Sequence, residues 1–309
     1  LEINCQSIVS KMSQNMLKRG PDSNGIWSSG NITFGHQRLS ILDLDSRSDQ
    51  PMLSSCGRYV IVFNGEIYNF QNLKYGLEKD GFVFKTSSDT EVLLALFVAK
   101  KENMLDSLRG MFSFAIWDND LDELFLARDP YGIKPLYYAS IESGFLFASQ
   151  VKALMSSGLI SKKKELAALV GFYLWGSVPE PWTIYEGVYS VPAGHWMKVK
   201  NGYVSELVCW HDVTKHWQSN SKKISNDELQ EEIYLALKDS IQSHLVADVP
   251  ISIFLSGGVD SGILAGLIAE FKLPVEAITI GFKEFVGSKR DETVHAKHIA
   301  SHYGMSHHI

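Results

Sequence analysis

Apolar positions along the chain change their period twice, and the changes divide it. Ile8, Met12 and Met16 recur at helical spacing, and the run closes with Lys18, Arg19 and Gly20 before Pro21, as a helix C-terminus does. Strand-like segments follow at 31–44 (NITFGHQRLSILDL) and 58–65 (RYVIVFNG). Ser88 and Glu91 have the spacing of a capping box in front of EVLLALFVAKKE, which predicts a helix. FSFAIWD, ELFLARD, PLYYAS and GFLFAS are short, aromatic-rich and broken by turns such as DND and SG, which predicts an antiparallel meander. Asn201 and Gly202, between GHWMKVK and YVSELVCW, tolerate positive φ at both turn positions and predict one more hairpin.

From His211 to Ser225 the chain turns polar, with QSNSKKIS at 218–225 as the linker, so the domains are expected at 1–215 and 216–309. Beyond it, Leu229, Ile233, Leu237, Ile241 and Leu245 stand at four-residue intervals and predict an amphipathic helix. ISIFL, SGILAGLIAEF, VEAITIGF, ETVHAKHIASHYG and MSHHI then alternate as strand and helix. Such alternation means a parallel sheet.

Composition narrows the class. A chain of 309 residues, 45% hydrophobic and 21% charged, suits two globular domains. With 29 Lys and Arg against 35 Asp and Glu, the net charge of -6 argues against nucleic acid as a partner. Cys5, Cys56 and Cys209 are odd in number and far apart, which fits a reducing compartment, and no apolar run has membrane-spanning length. The expectation is a cytoplasmic protein, without membrane or nucleic-acid partners and with homodimerisation open. The chain starts at Leu and stops at HHI without a helix stop, which suggests a fragment.

In the second domain, ISIFL runs into Ser256, Gly257, Gly258, Val259, Asp260 and Ser261 and then a helix. Two glycines after a parallel strand let backbone N–H groups turn toward an anion, and the helix N-terminus adds its positive end. Phosphate is the natural guest. Ser256 and Ser261 can donate to phosphoryl oxygens, whereas Asp260 requires a cation between, which makes it the Mg2+ candidate. A plain glycine turn with a capping residue is the structural alternative. The string SGGVDS resembles the pyrophosphate loop of the ATP pyrophosphatase family. That resemblance implies ATP binding at Leu255 to Ser261, with Leu255, Ile280 and Gly281 on the adenine side.

The first domain carries RGPD at 19–22, GHQRLSILDL at 35–44, FNGEIYN at 63–69, SDTE at 88–91 and RDPYGIKPLYY at 128–138. Together these resemble the class II glutamine amidotransferases, and with SGGVDS their order is similar to the glutamine-hydrolysing asparagine synthetase family. Amide hydrolysis creates an oxyanion, for which the Asn64 side chain and the Gly65 N–H are suitable donors. Arg38 can fork onto a carboxylate, and Glu66 with Asp89 can bind an ammonium. The resemblance gives these residues the same roles toward glutamine, with backbone at Leu39, Ser40, Ile41 and Leu42 lining the pocket. Taken singly, Arg38 also reads as a surface arginine, Asp89 as a helix cap and Asn64-Gly65 as a hairpin turn.

The family's nucleophile is an N-terminal cysteine whose own amine is the base. Cys5 does not match: four residues precede it, and only a helix fits between it and RGPD. It is expected on that helix as a small apolar filler, with a cysteine-initiated strand missing ahead of it. The implied fold is α/β: an N-terminal α/β/β/α sandwich of the N-terminal-nucleophile hydrolase type, then the start of a doubly wound parallel nucleotide-binding domain. The implied activity is asparagine synthesis from aspartate, glutamine and Mg·ATP through a β-aspartyl adenylate. Alternatives are a synthetase acting on another carboxylate, including β-lactam-forming relatives, and a non-catalytic nucleotide or glutamine sensor.

Overall fold

Helix α1 (Cys5–Gln14) opens where the Asn4 side chain accepts the Ser7 N–H at 3.0 Å. It begins the part of the chain that the computed structural model describes, residues 4–217 and 225–309. The expected linker at 218–225 lies outside these except for Ser225. The chain divides into two compact units, Leu1–Asn220 and Ser221–Ile309.

In the first unit, β1 (Ser23–Ser29) and β2 (Ile32–Arg38) form a hairpin. The strand expected over 31–44 stops at Arg38. Strands β3 (Met52–Leu53) and β4 (Tyr59–Ile67) follow, then α2 (Phe70–Lys79) and α3 (Asp89–Lys100). Next come β5 (Gly110–Asp118), β6 (Glu123–Arg128), β7 (Tyr137–Ile141), β8 (Gly144–Ala148), α4 (Val151–Ser156) and α5 (Leu166–Trp175). The unit closes with β9 (Tyr189–Ser190), β10 (His195–Lys200), β11 (Tyr203–Cys209) and α6 (Thr214–Trp217). The β10–β11 turn has Asn201 at φ 52° and Gly202 at φ 81°, as the dipeptide requires.

Six strands make one antiparallel sheet in the order β11-β10-β6-β5-β4-β3. One face carries Ile61, Phe63, Phe112, Phe114 and Phe125 and packs on α3 through Leu93, Leu94, Leu96 and Phe97. The opposite face carries Val60, Val62, Ala115, Leu126 and Met197 and packs on Phe34 of β2 and Phe147 of β8. Both faces are buried, which is why VIVF reads as an unbroken apolar run. On the far side of the second strand layer, Met12 of α1 packs with Ala153 and Leu154 of α4. The order of layers is thus helix, sheet, sheet, helix.

Two expectations need correction. The meander is split: β5 and β6 stay in the six-stranded sheet, whereas β7 and β8 join β9 in the other layer. The crossing is held by Asp129, fully buried, whose carboxylate accepts N–H groups from Phe112, Tyr131, Ile133 and Lys134. Beside it, Arg128 donates to the Gly132, Lys134 and Val191 carbonyls. The Ser88/Glu91 capping box is also absent in its reciprocal form. Ser88 does cap α3, through the Thr90 N–H at 3.0 Å, but Glu91 turns back to Lys85 and Thr86.

The second unit starts with α7 (Asn226–His244), opened by a reciprocal Ser225/Glu228 capping box. Then β12 (Ser252–Phe254), α8 (Val259–Glu270), β13 (Glu276–Ile278), α9 (Thr293–His302) and β14 (His307–His308) build a parallel sheet in the order β12-β13-β14. Its core is made of Leu255, Ala265, Ala277, Ala296 and Ala300. Of the apolar stripe on α7, only Ile241 is buried, while Leu229 is 43% and Ile233 50% exposed. A four-residue repeat slips by about 40° per step against the 100° per residue of a helix, so the stripe spirals and only its C-terminal end meets α8.

Candidate active site

Asn64, Gly65 and Glu66 lie inside β4, which runs on to Ile67, so the hairpin-turn alternative is excluded. Asn64 pairs with Ser113 and Gly65 with Phe112 of β5. Gly65 has φ +154°, and a Cβ there would collide with the Met111 carbonyl oxygen and lie 2.7 Å from the Phe112 Cα. Only glycine fits. Asn64 stands on the face that looks toward the second strand layer, where its Nδ2 donates to Ser149 Oγ at 3.3 Å.

Alternate N–H groups of a strand point to the same edge. On the edge of β4 away from β5, the Phe63 N–H is taken by Gln50 Oε1 at 2.6 Å and the Ile67 N–H by Asp89 Oδ2 at 3.0 Å. Gly65 lies between them. The Phe63 carbonyl is met by His36 Nε2 at 3.1 Å. Burial pushes the His36 pKa down to about 4, against the raising effect of the Phe63 carbonyl.

Asp89 is in the first turn of α3, with Ser88 as the cap, so it is not itself the cap. Its carboxyl is pushed up to about 7, first by burial and then by the charge of Glu66, while the Ile67 N–H works the other way. Two acidic groups sharing a poorly solvated place favour a cation between them. Lys134, lining the same cavity, has its pKa lowered by burial, while the charge of Glu66 acts to raise it.

A cavity of about 1820 Å³ is lined by Arg38, Leu39, Ile41, Leu42, Asn64, Gly65, Glu66 and Asp89, along with other residues of this unit. Ser40 is not among them: its N–H is held by Asp22 Oδ2 at 2.8 Å. RGPD therefore has a visible role, because the Asp22 N–H also donates to the Arg38 carbonyl at 3.0 Å and Gly20 passes where a Cβ would strike the Gln37 carbonyl. Arg38 is buried rather than a surface residue. Its Nη1 donates to Asp49 Oδ1 at 2.8 Å and the Asp45 carbonyl at 3.1 Å, and its Nη2 to the Leu42 and Asp43 carbonyls. A buried guanidinium must satisfy its donors, and both terminal nitrogens do so on the 42–49 loop. Cys5 sits exposed on the first turn of α1, not buried as a filler.

His36 and Gln50 carry no role in the sequence-based expectations. His36 shares the inward face of β2 with Phe34 and Arg38, and that alternation was the available signal.

In the second unit, the loop from Ser256 to Ser261 joins β12 to α8, with Gly258 as the N-cap residue. Ser256 Oγ and Ser261 Oγ lie 2.9 Å apart, and the Gly258 N–H donates to Ser256 Oγ at 3.1 Å. A Cβ on Gly257 would come 2.9 Å from the His295 Cβ. Asp260, in the first turn of α8, is exposed, as are Gly257, Gly258 and Val259. Leu255 has its side chain in the core, so only its backbone faces the loop. Ile280 and Gly281 are exposed beyond the end of β13, the strand parallel to β12. Both segments therefore leave the same C-terminal edge of a parallel sheet, where such sheets bind ligands. Among the described residues no three His, Cys, Asp or Glu side chains group as metal ligands.

The first unit is a four-layer sandwich whose two antiparallel strand layers meet at a cavity lined by Asn64, Gly65, Glu66 and Asp89. The chain belongs to the glutamine amidotransferase family, whose domain model matches residues 2–210; the asparagine synthase model matches residues 232–309. It is 38% identical over 284 residues to asparagine synthetase [glutamine-hydrolyzing] 1 of Bacillus subtilis, covering 90% of this chain and 43% of that protein. Asparagine synthetase B [glutamine-hydrolyzing] of Escherichia coli is 36% identical, over 84% of this chain and 41% of its own length. Amidase chry2 of Gibberella zeae is 32% identical over 94% of this chain and 45% of its own. The chain thus spans less than half the length of these relatives. Among solved structures, the glutamine phosphoribosylpyrophosphate amidotransferase of B. subtilis superposes with TM-score 0.51 at 16% identity, over 97% of this chain and 62% of that one. The allosteric regulatory enzyme of purine biosynthesis gives 0.52 at 18% identity, over 88% and 62%. These two support the fold.

Proposed function

We propose that the protein to which this chain belongs makes asparagine: it hydrolyses glutamine to glutamate and ammonia in the first unit and consumes the ammonia in an ATP-dependent amidation of aspartate. The observation that carries the proposal is that the Asn64 side chain and Gly65 of β4 line one cavity with the carboxylates of Glu66 and Asp89. In this scheme Asn64 Nδ2 and the Gly65 N–H receive the oxyanion. Glu66 and Asp89 hold the substrate's ammonium, and Arg38 contributes the positive charge its α-carboxylate requires, placed by the 42–49 loop carbonyls. Leu39, Ile41 and Leu42 form the wall beside it, with Ser40 turned to Asp22.

In this scheme the nucleophile is carried by a strand seated beside β2 and β8. Among the described residues β2 pairs only with β1 and β8 only with β7, and both line the cavity. Their unpaired edges are suited to a strand between them. An N-terminal cysteine there would attack the amide carbon, with its own amine taking the thiol proton.

In the second unit, Ser256 to Ser261 bind the pyrophosphate of ATP, with Ile280 and Gly281 beside the base. A lone exposed carboxylate among hydroxyls fits Mg2+ that arrives on a polyphosphate better than a resident ion held by protein alone, and Asp260 would hold it. Positive charge against the pyrophosphate is the chemistry such an ion would supply there. The aspartate β-carboxylate attacks the α-phosphorus of ATP and displaces pyrophosphate, and ammonia then attacks the resulting β-adenylate and displaces AMP, giving the amide. The cytoplasm, with its ATP and glutamine, is the proposed location.

A second scheme keeps the glutaminase unit and changes the acceptor, favoured by the similarity to a relative named as an amidase. The test is Asn64→Ala in the full-length protein with aspartate as acceptor. Glutamine-dependent synthesis is expected to fall about 100-fold or more while ammonia-dependent synthesis is retained. Equal losses with both nitrogen donors would remove the oxyanion role, and ammonia-dependent turnover of other carboxylates but not aspartate would favour the second scheme.

A further inference from the structure

Strand β4 carries the Gly65 N–H on an edge that its neighbour covers only in part, with the Asn64 side chain on the adjoining face. β3 pairs with β4 at Val60 and Ile61 alone, and beyond that point side chains replace the ladder. Gln50 holds the Phe63 N–H, His36 the Phe63 carbonyl and Asp89 the Ile67 N–H. A carbonyl only accepts, so His36 carries its proton on Nε2. The ring is buried and neutral near pH 7, so Nδ1 keeps a lone pair, and among the described residues that atom is buried without a partner. Burying an unpaired acceptor opposes folding, so an apolar side chain would fill the space more favourably. Packing alone is a poor reason for an imidazole here.

We propose that His36 is a positioning residue of the glutaminase site: by holding the Phe63 carbonyl from the opposite strand layer, it fixes the 63–64 peptide and so the direction of the Asn64 side chain. This rests on the glutamine-hydrolysing function proposed above. Gln50 completes the clamp from the N–H side, so both backbone groups of Phe63 are gripped one residue before the donor. Misplacement of such a donor by about 1 Å is enough to cost a large factor in rate. The effect falls on the transition state, where the oxyanion exists, and not on substrate binding.

His36→Gln and His36→Asn in the full-length enzyme test this. The glutamine amide nitrogen reaches the place of Nε2, whereas the asparagine one reaches only that of Nδ1. His36→Asn is expected to lower kcat for glutamine hydrolysis by about 100-fold with KM within about threefold, and His36→Gln to keep kcat within about tenfold. Ammonia-dependent synthesis stays unchanged in both. Equal kcat losses in two folded variants, or wild-type kcat in His36→Asn, overturns the proposal. Should His36→Asn fail to fold, a folded His36→Gln with a 100-fold kcat loss overturns it equally. A wild-type enzyme that hydrolyses no glutamine overturns the parent function instead. Nitrogen NMR of the His36 ring then decides the clamp separately, with a proton on Nε2 supporting it and one on Nδ1 refuting it.

Discussion

Asp89 is the residue whose environment makes the clearest demand. Burial and the neighbouring Glu66 raise its carboxyl to about 7, far above its usual range. With the folded pKa above the unfolded one, the native state holds more protons between roughly pH 4 and 7. The associated stability is therefore present at acid pH and lost as pH rises through 7. An ammonium needs the ionised form, so glutamine is expected to bind more tightly as that stability is given up. KM for glutamine should fall by up to about tenfold per pH unit on raising pH toward 7 and level off above it. Asp89→Asn should raise KM and abolish the inflection. A KM that is flat from pH 6 to 8 in the wild type would remove Asp89 from the ammonium site.

At the scale of the element, β4 combines two incompatible tasks and resolves them by position. Tyr59 to Phe63 are buried as part of both faces of the sheet, and Asn64 to Glu66 are partly open to the cavity. The change comes where β3 ends, so the edge that would otherwise be paired is left to side chains and ligand. Gly65 is the hinge of this arrangement because its φ and its contact with Met111 exclude a Cβ. Gly65→Ala is expected to destabilise the first unit by about 2 to 5 kcal/mol, from overpacking and backbone strain together. Urea denaturation measures it, and a loss below about 0.5 kcal/mol, the usual effect of a surface substitution, would show that the strand can yield.

At the scale of the whole molecule, two units with separate cores carry the two halves of the proposed chemistry. Separate cores predict separable defects. In the full-length protein, Asp260→Asn should abolish ATP-dependent synthesis with either nitrogen donor while glutamine hydrolysis stays within about threefold of wild type, since independent sites perturb one another little. Synthesis that survives the change would refute the Mg2+ assignment. Much of this was legible in the residues themselves. The alternation of strand and helix after Ser225, the Asn201-Gly202 hairpin and the placing of SGGVDS between a strand and a helix follow from local period and local chemistry, which a sequence records directly. The split of the meander did not: ELFLARD and PLYYAS look alike, and only the buried Asp129 hub sends the second to another layer. Nor did the hold of Arg38 on the 42–49 loop, or the clamp of Gln50 and His36 on Phe63, because each joins residues that come together only in the fold. Period and composition determine which side chains are available, while pairing between distant segments decides which of them a buried donor or acceptor finds.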